Sequence, residues 1–395
     1  MASSSTSILI VGGDADGNLG DRAILQATCR TILSVRPDVR LWVVTSDVAS
    51  AGRRYGATGL PRGVRGFPSL VRAARRSGLV LFGGGGLLQD DDSLIKVPYW
   101  GMRLAVLRLC RPRVVGYALG VGPLAAASSH AFANLAFACM ERISVRDERA
   151  RAVADGIVRP RSVEVLPDPA LLLEPASREE ARAALRNAGV PLNGAPLIGV
   201  APRRWFPPRH RLIPHKLAHR LGLPDPHRGA EGERLTSLLA EVLNGLACRH
   251  DAEVVFLPSY SVAHEGDDRV GEEIRTKITW KRSHVLRLRE APLYKAVLGE
   301  LDLLITGRMH PAILAAPVAT PVFALAYNPK FDGFFDLLGC PDRVLDVRQA
   351  VERGDAALLS ARIEAAWHAG PLPQARIREL QDRIRTFTRD LVDAL

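Results

Sequence analysis

The sequence predicts an α/β protein of two similar domains that face each other across a cleft. Three observations predict it. Short β-branched runs alternate with helical stretches, the rhythm of a parallel sheet with helices on both faces. The rhythm breaks over Glu174 to Pro196 and then restarts. The chain of 395 residues also exceeds one ordinary core and suits two domains of about 150–200 residues each.

"SILIVGG" reads as the first strand and "GDRAILQATCRTILSV" as an amphipathic helix after it. "LWVVTS", "LVLFGG" and "RVVGYALG" read as further strands, and "RISVRD" and "SVEVLPD" close the first half. In the break, Ser177 and Glu180 have capping-box spacing and Gly189 suits a helix C-terminus, so one linking helix is expected. The second half then offers "PLIGVAPR", the helix "ERLTSLLAEVLNGLACRH", "AEVVFLPS", "SHVLRL", "LDLLITG" and "TPVFALAY". Pro373 to Leu395 reads as a charged amphipathic helix. The expected units are 1–175, a linker helix over 176–195, 196–372, and the C-terminal helix over 373–395. Arg203 to Gly229 fits neither pattern; rich in Arg, His and Pro, it reads as a long loop. It suits contact with an anionic substrate or a membrane face, or is a floppy insertion.

Charge and composition narrow the function. The formal net charge is +11, and only six of the 53 basic residues are lysines. Such a surplus favours anionic partners: small phosphates, nucleic acid or an anionic membrane face. The arginines are spread over both halves, and no nucleic-acid motif occurs, so no nucleic-acid partner is expected. Peripheral contact with the inner face of a membrane remains among the expectations. The five cysteines are scattered without a C-x-x-C pair, as expected of buried thiols in a reducing cytoplasm. The N-terminus lacks the basic region and apolar core of a secretion signal, and the longest weakly polar run is too short and too broken for a membrane helix.

"LFGGGGLLQDDD", Leu81 to Asp92, invites a nucleotide-loop or metal reading. The Walker pattern is absent. The dinucleotide pattern fails as well, because Leu88 stands at the third glycine position after Gly83 and Gly85. No zinc spacing occurs, so neither a metal nor a cofactor is expected. "GGDADGNLGDRAIL" is a glycine-rich turn into the first helix, with Asp21 near the helix start as a cap or as an acceptor for hydroxyl groups.

The sharpest signal is Leu303 to Phe331. Arg308 and His310 follow a strand and precede Pro311, read as the first helical position, so the free N–H groups of Ala312 to Leu314 would make an anion site. Lys330 lies at the carboxyl end of the next strand, near His310. Arg146 and Arg203 stand at equivalent strand ends. Each alone is better explained by an ion pair; as a set around one cleft, they suit clamps for phosphate and carboxylate.

In order, "GNLGDRAIL", "GGGGLLQD", "YALGVGP", "SVRD", "LPDPALLL", "GRMHPAILAA", "PVFALAY" and Lys330 resemble the polysaccharide pyruvyl transferases over roughly Ser7 to Leu338. R-x-H followed by Y-x-x-K is the most specific part, whereas the 203–229 loop matches nothing in the family. The resemblance implies two Rossmann-like domains arranged as in the GT-B glycosyltransferases. It implies transfer of a pyruvyl group from phosphoenolpyruvate to a sugar of a cell-surface glycan or its lipid-linked precursor, as a cyclic ketal with release of phosphate. It associates Arg146, Arg203, Arg308, His310 and Lys330 with donor binding or catalysis. His310 is then the candidate general acid or base, because its ordinary titration range suits proton transfer near neutrality. In such an arrangement the first domain is the acceptor side. Asn18, Asp21, Gly84, Gly85, Gln89 and Asp90 are the candidate sugar-binding residues, with Gly83 to Gly86 a loop leaving room for a sugar and Asp91 and Asp92 capping or facing solvent. A nucleotide-sugar glycosyltransferase and a non-catalytic glycan-binding protein are the rival readings.

Overall fold

The computed structural model describes residues 7–12, 18–91, 93–110, 112–158, 162–203, 230–261 and 266–395. The proline-rich segment from residue 204 to 229, Asp92 and most of the turn after Gly12 lie outside the described residues.

The first half contains β1 (Ser7–Val11), α1 (Leu19–Val35), β2 (Arg40–Thr45), α2 (Ala51–Tyr55), β3 (Thr58–Pro61), α3 (Phe67–Arg76), β4 (Leu79–Leu88), α4 (Lys96–Leu109), β5 (Arg113–Val121), α5 (Ala127–Ala138), β6 (Arg142–Val145), α6 (Glu148–Asp155) and β7 (Val163–Val165). The linking helix α7 (Arg178–Asn187) starts at Ser177 with the capping box formed by Glu180, and Gly189 follows it at φ +80°. The second half contains β8 (Leu197–Ala201), α8 (Ala230–His250), β9 (Glu253–Phe256), α9 (Asp267–Lys277), β10 (Ser283–Val285), α10 (Ala291–Leu298), β11 (Leu303–Thr306), α11 (Met309–Ala315), β12 (Val322–Ala326), α12 (Lys330–Leu338), β13 (Val344–Asp346), α13 (Val347–Arg353), α14 (Ala356–His368) and α15 (Gln374–Asp393).

Both sheets are parallel throughout. Their strand orders are β3-β2-β1-β4-β5-β6-β7 and β10-β9-β8-β11-β12-β13. In each sheet the chain winds outward from one central strand, returns, and winds the other way. The reversal falls between β1 and β4 and between β8 and β11. Loops leave the carboxyl ends of such a strand pair in opposite directions and open a crevice there, where ligands of these sheets bind. The central strands are buried on both faces, so they are apolar runs rather than alternating ones.

Three apolar cores hold the layers. One covers the outer face of each sheet, and a shared one lies between the sheets, joining Ile8 and Leu81 of the first to Leu304 and Ala324 of the second. The last helix straps the halves together. Gln374 donates to the Ala316 carbonyl at 2.9 Å, and further along Thr388 meets the Tyr117 hydroxyl at 2.6 Å. Lys295, buried in α10, donates to the carbonyl of Leu173 at 2.5 Å, and burial pushes its pKa down to about 8.

The four glycines do not form a loop, as the sequence reading had them. β4 runs straight through them to Leu88, with Gly84 at φ +82° and Gly85 at φ +93° and a register shift against β5. A Cβ on Gly83 would lie 1.8 Å from the Tyr117 carbonyl oxygen, so strand contact demands glycine there.

A candidate active site where the two crevices meet

The crevices of the two sheets face each other and form one cleft of about 1170 Å³, counting the solvent it opens to. Of the eleven candidate site residues, ten line it; Asp90 does not.

The first half supplies a wall of glycine backbone and mixed charge, with Asp21 and Asp91 set against Arg62, Lys96 and Arg146. Asn18 caps α1, its side chain accepting from Gly20 N–H at 3.0 Å and Asp21 N–H at 3.4 Å. This cap is stitched across the cleft, because Leu19 N–H donates to the Ser259 carbonyl at 3.1 Å. Gly84 and Gly85 bring bare backbone to the cavity. Asp90 is fully buried, and its carboxylate accepts the backbone N–H groups of Ala125 and Ala126, so it holds the turn before α5 and offers no oxygen to a ligand. The residue facing the cleft is Asp91, which accepts from Gln89 Nε2 at 2.9 Å and from Asn328 Nδ2 at 2.7 Å across the cleft. The expectation for both aspartates is thereby corrected: Asp90 is taken up by the backbone before α5, and Asp91 turns to the cleft rather than to solvent or a helix cap.

The second half supplies cations. Arg203 follows β8 and Arg308 follows β11, so the two flank the second switch point. Arg308 is oriented by fully buried Asp267, whose carboxylate takes Nε at 3.0 Å and Nη2 at 2.5 Å. The Arg203 guanidinium lies 3.4 Å over the Tyr327 ring, and Lys330 Nζ lies 4.8 Å from the same ring. Burial acts to raise the Tyr327 pKa, but Arg203, Lys330 and Arg308 outweigh it and lower it below its ordinary value. Lys330 is itself lowered, first by burial and then by Arg203 and Arg146, against Tyr327 and Asp91 which raise it. Arg146 comes from the first half, buried at the end of β6 and paired with Asp147 at 3.2 Å.

His310 is the second residue of α11 and Pro311 the third. The expected anion site at the N–H groups of Ala312 to Leu314 is therefore not present: these lie inside the seven-residue helix, and Pro311 has no N–H. What the helix does is aim the imidazole. A Cβ on Gly20 would lie 2.1 Å from His310 Nδ1, so the ring packs against α1 only because residue 20 is glycine. His310 Nε2 is buried, has no hydrogen-bond partner among the described residues and stands 3.9 Å from Asp168 Oδ2. Burial, then Lys330, Arg146 and Arg308, pushes the His310 pKa down to about 3. The imidazole is thus held neutral, which corrects the expectation of titration near neutrality.

Asp168, Asp267 and Tyr327 are the site-shaping residues that sequence reasoning did not single out. Burial raises the Asp168 pKa first, and Asp147 adds to it, while an Ala170 N–H and Arg146 oppose. Asp168 lies inside the quoted "LPDPALLL" and Tyr327 inside Y-x-x-K, so the signal for those two was in hand. Asp267 had none.

Two facing parallel sheets with a cleft at their switch points define a GT-B-type fold. Solved structures show the same arrangement. The ADP-heptose lipopolysaccharide heptosyltransferase II of E. coli superposes with a TM-score of 0.52 at 17% identity, over 92% of this chain and 99% of that one. A glycosyl transferase family 9 protein of Veillonella parvula gives 0.50 at 14%, over 92% and 97%. The UDP-GlcNAc 2-epimerase of Neisseria meningitidis gives 0.59 at 10%, over 98% and 100%. Within that fold, the family model of the polysaccharide pyruvyl transferases matches residues 18–329, and the chain belongs to that family.

Proposed function

We propose that the protein transfers a pyruvyl group from phosphoenolpyruvate to two hydroxyls of a sugar in a cell-surface glycan or exopolysaccharide, or its lipid-linked precursor, on the cytoplasmic side of the membrane. One observation carries the reading: Arg146, Arg203, Arg308 and Lys330 surround a neutral histidine in one cleft. Phosphoenolpyruvate presents a phosphate and a carboxylate, and such a cluster matches both. The rival nucleotide-sugar reading favours a carboxylate for the ribose in the second half. Among the described residues no carboxylate of that half lines the cleft, since Asp267 is tied to Arg308.

The step balances as follows. A proton adds to the methylene carbon, and the carbon bearing the phosphate oxygen becomes oxocarbenium-like. One sugar hydroxyl attacks it and gives up its proton. The carbon–oxygen bond to phosphate breaks, a second hydroxyl closes the ketal, and the second proton leaves with inorganic phosphate. Neutral His310 is suited to accept a hydroxyl proton. The anionic donor offsets the surrounding cations, raises the His310 pKa and strengthens it as that base. Lys330, Arg203 and Arg308 stabilise the departing phosphate, with Arg146 a further donor contact. Asn18, Asp21, Gln89 and Asp91 offer polar groups to the acceptor, with Gly84 and Gly85 leaving it room. No resident metal or cofactor is part of the proposal.

Purified protein given phosphoenolpyruvate and a panel of sugars should release phosphate and add one ketal-linked pyruvyl group to the acceptor by mass. Wild-type turnover in both His310→Ala and Lys330→Ala would sink the assignment.

A further inference from the structure

The outer face of α4 carries an apolar stripe that the proposed reaction does not use. Ile95, Tyr99, Met102, Val106 and Leu109 recur at intervals of four and three residues, so they share one side of the helix over about 21 Å. That side faces solvent. Ile95 is 51% exposed, Met102 53% and Leu109 81%. Val64, in the loop before α3, adds a side chain 86% exposed. That loop adjoins α4: Arg62 acts electrostatically on Arg103, whose guanidinium lies 5.9 Å from the Phe67 ring.

Charge says what covers such a face. From Val48 to Met140 the chain has twelve Lys and Arg, and its only acidic residues are Asp90, Asp91 and Asp92. Asp90 is buried in its turn and Asp91 is bonded inside the cleft, so neither offsets the outer face. Arg65, Arg72 and Arg108 are exposed on the elements bearing the stripe or flanking it. A second copy pairing this face with itself would bring these like charges together. A partner both apolar and negatively charged satisfies every feature.

We propose that α4 and the loop before α3 dock on an anionic lipid bilayer, the apolar stripe entering the acyl boundary and the arginines meeting the headgroups. Among the described residues no helix is long and apolar enough to cross a membrane, so the attachment is peripheral. Lys96 and Trp100 of the same helix line the cleft, as does Arg62. Docking therefore sets the cleft mouth at the lipid surface.

Vesicle sedimentation tests this with the full chain and no substrate, so its outcome stands apart from the pyruvyl-transfer reading. Wild type should pellet with vesicles of phosphatidylcholine plus phosphatidylglycerol, stay in solution with phosphatidylcholine alone, and be released by high salt. Ile95→Ser/Met102→Ser/Leu109→Ser should weaken the partitioning by about tenfold or more, because three apolar contacts with lipid are lost. Arg65→Glu/Arg72→Glu should abolish the preference for anionic lipid, and both variants should melt as wild type does. Wild type remaining in solution with anionic vesicles would overturn the proposal, as would both variants pelleting undiminished. A wild-type dimer in light scattering that the serine variant dissolves, with vesicle binding unchanged, would assign the face to a second copy instead.

Discussion

The two walls of the cleft share a topology and differ in chemistry. Each is the crevice at a switch point of a parallel sheet, yet one mixes glycine backbone with charges of both signs (Asp21, Asp91, Arg62, Lys96 and Arg146), and the other carries arginine, lysine and histidine with no carboxylate among its described lining residues. Fold alone therefore places the site without deciding what it does; side chains at the strand ends decide. On the first wall the glycines serve close packing as much as access: Gly12, Gly20 and Gly83 each lack a Cβ that would collide with a neighbour. On the second wall the charges are held by others, Arg308 by Asp267 and Arg203 against Tyr327.

The largest expected effect lies on the second, cationic wall. His310→Ala and Lys330→Ala should each lower the rate of phosphate release by about 10³-fold, within the range for losing a positioned acid–base or charge-stabilising group. Circular dichroism should show the fold intact. Arg308→Ala should cost less in chemistry but more in stability, about 3 kcal/mol in chemical denaturation, because Asp267 is left buried without its partner.

A change on the glycine wall should act through the other one. Gly20→Ala places a methyl where the His310 ring lies, and the ring must turn. Turnover should fall by about 10²-fold while phosphoenolpyruvate affinity, read by calorimetry, changes little. If turnover were unchanged, the contact between the walls would not set the histidine.

The smallest effect is one of pH. His310 titrates near its ordinary 6.5 in the unfolded chain and at about 3 in the folded one. Between these values the unfolded state binds the extra proton, so this residue's contribution to stability is complete above about 6.5 and lost as pH falls towards 3. His310→Gln should flatten the acid-side slope of stability against pH.

The fold was legible because the strands at the switch points are buried on both faces and read as apolar runs. β3 and β13 were not: each is a short edge strand at the outside of its sheet. Four of the five donor-side residues announced themselves as cations at strand ends, and His310 stood beside Arg308. Their partners were hidden for a physical reason. Asp267 is an ordinary acid in a helical first turn until the fold brings Arg308 to it from 41 residues away. Asp90 and Asp91 exchanged roles because each is fixed by a partner distant in sequence, Asp90 by the backbone of Ala125 and Ala126 and Asp91 by Asn328. The histidine's titration could not be read at all, since burial and three cations from separate elements shift it.

The central claim, that the cationic cluster of the cleft binds phosphoenolpyruvate around a neutral histidine, is tested most directly by calorimetric titration in buffers of different ionisation enthalpy. Phosphoenolpyruvate should bind with uptake of protons, the uptake should vanish in His310→Gln, and a nucleotide sugar should not compete. Binding of the nucleotide sugar with no binding of phosphoenolpyruvate would contradict the claim.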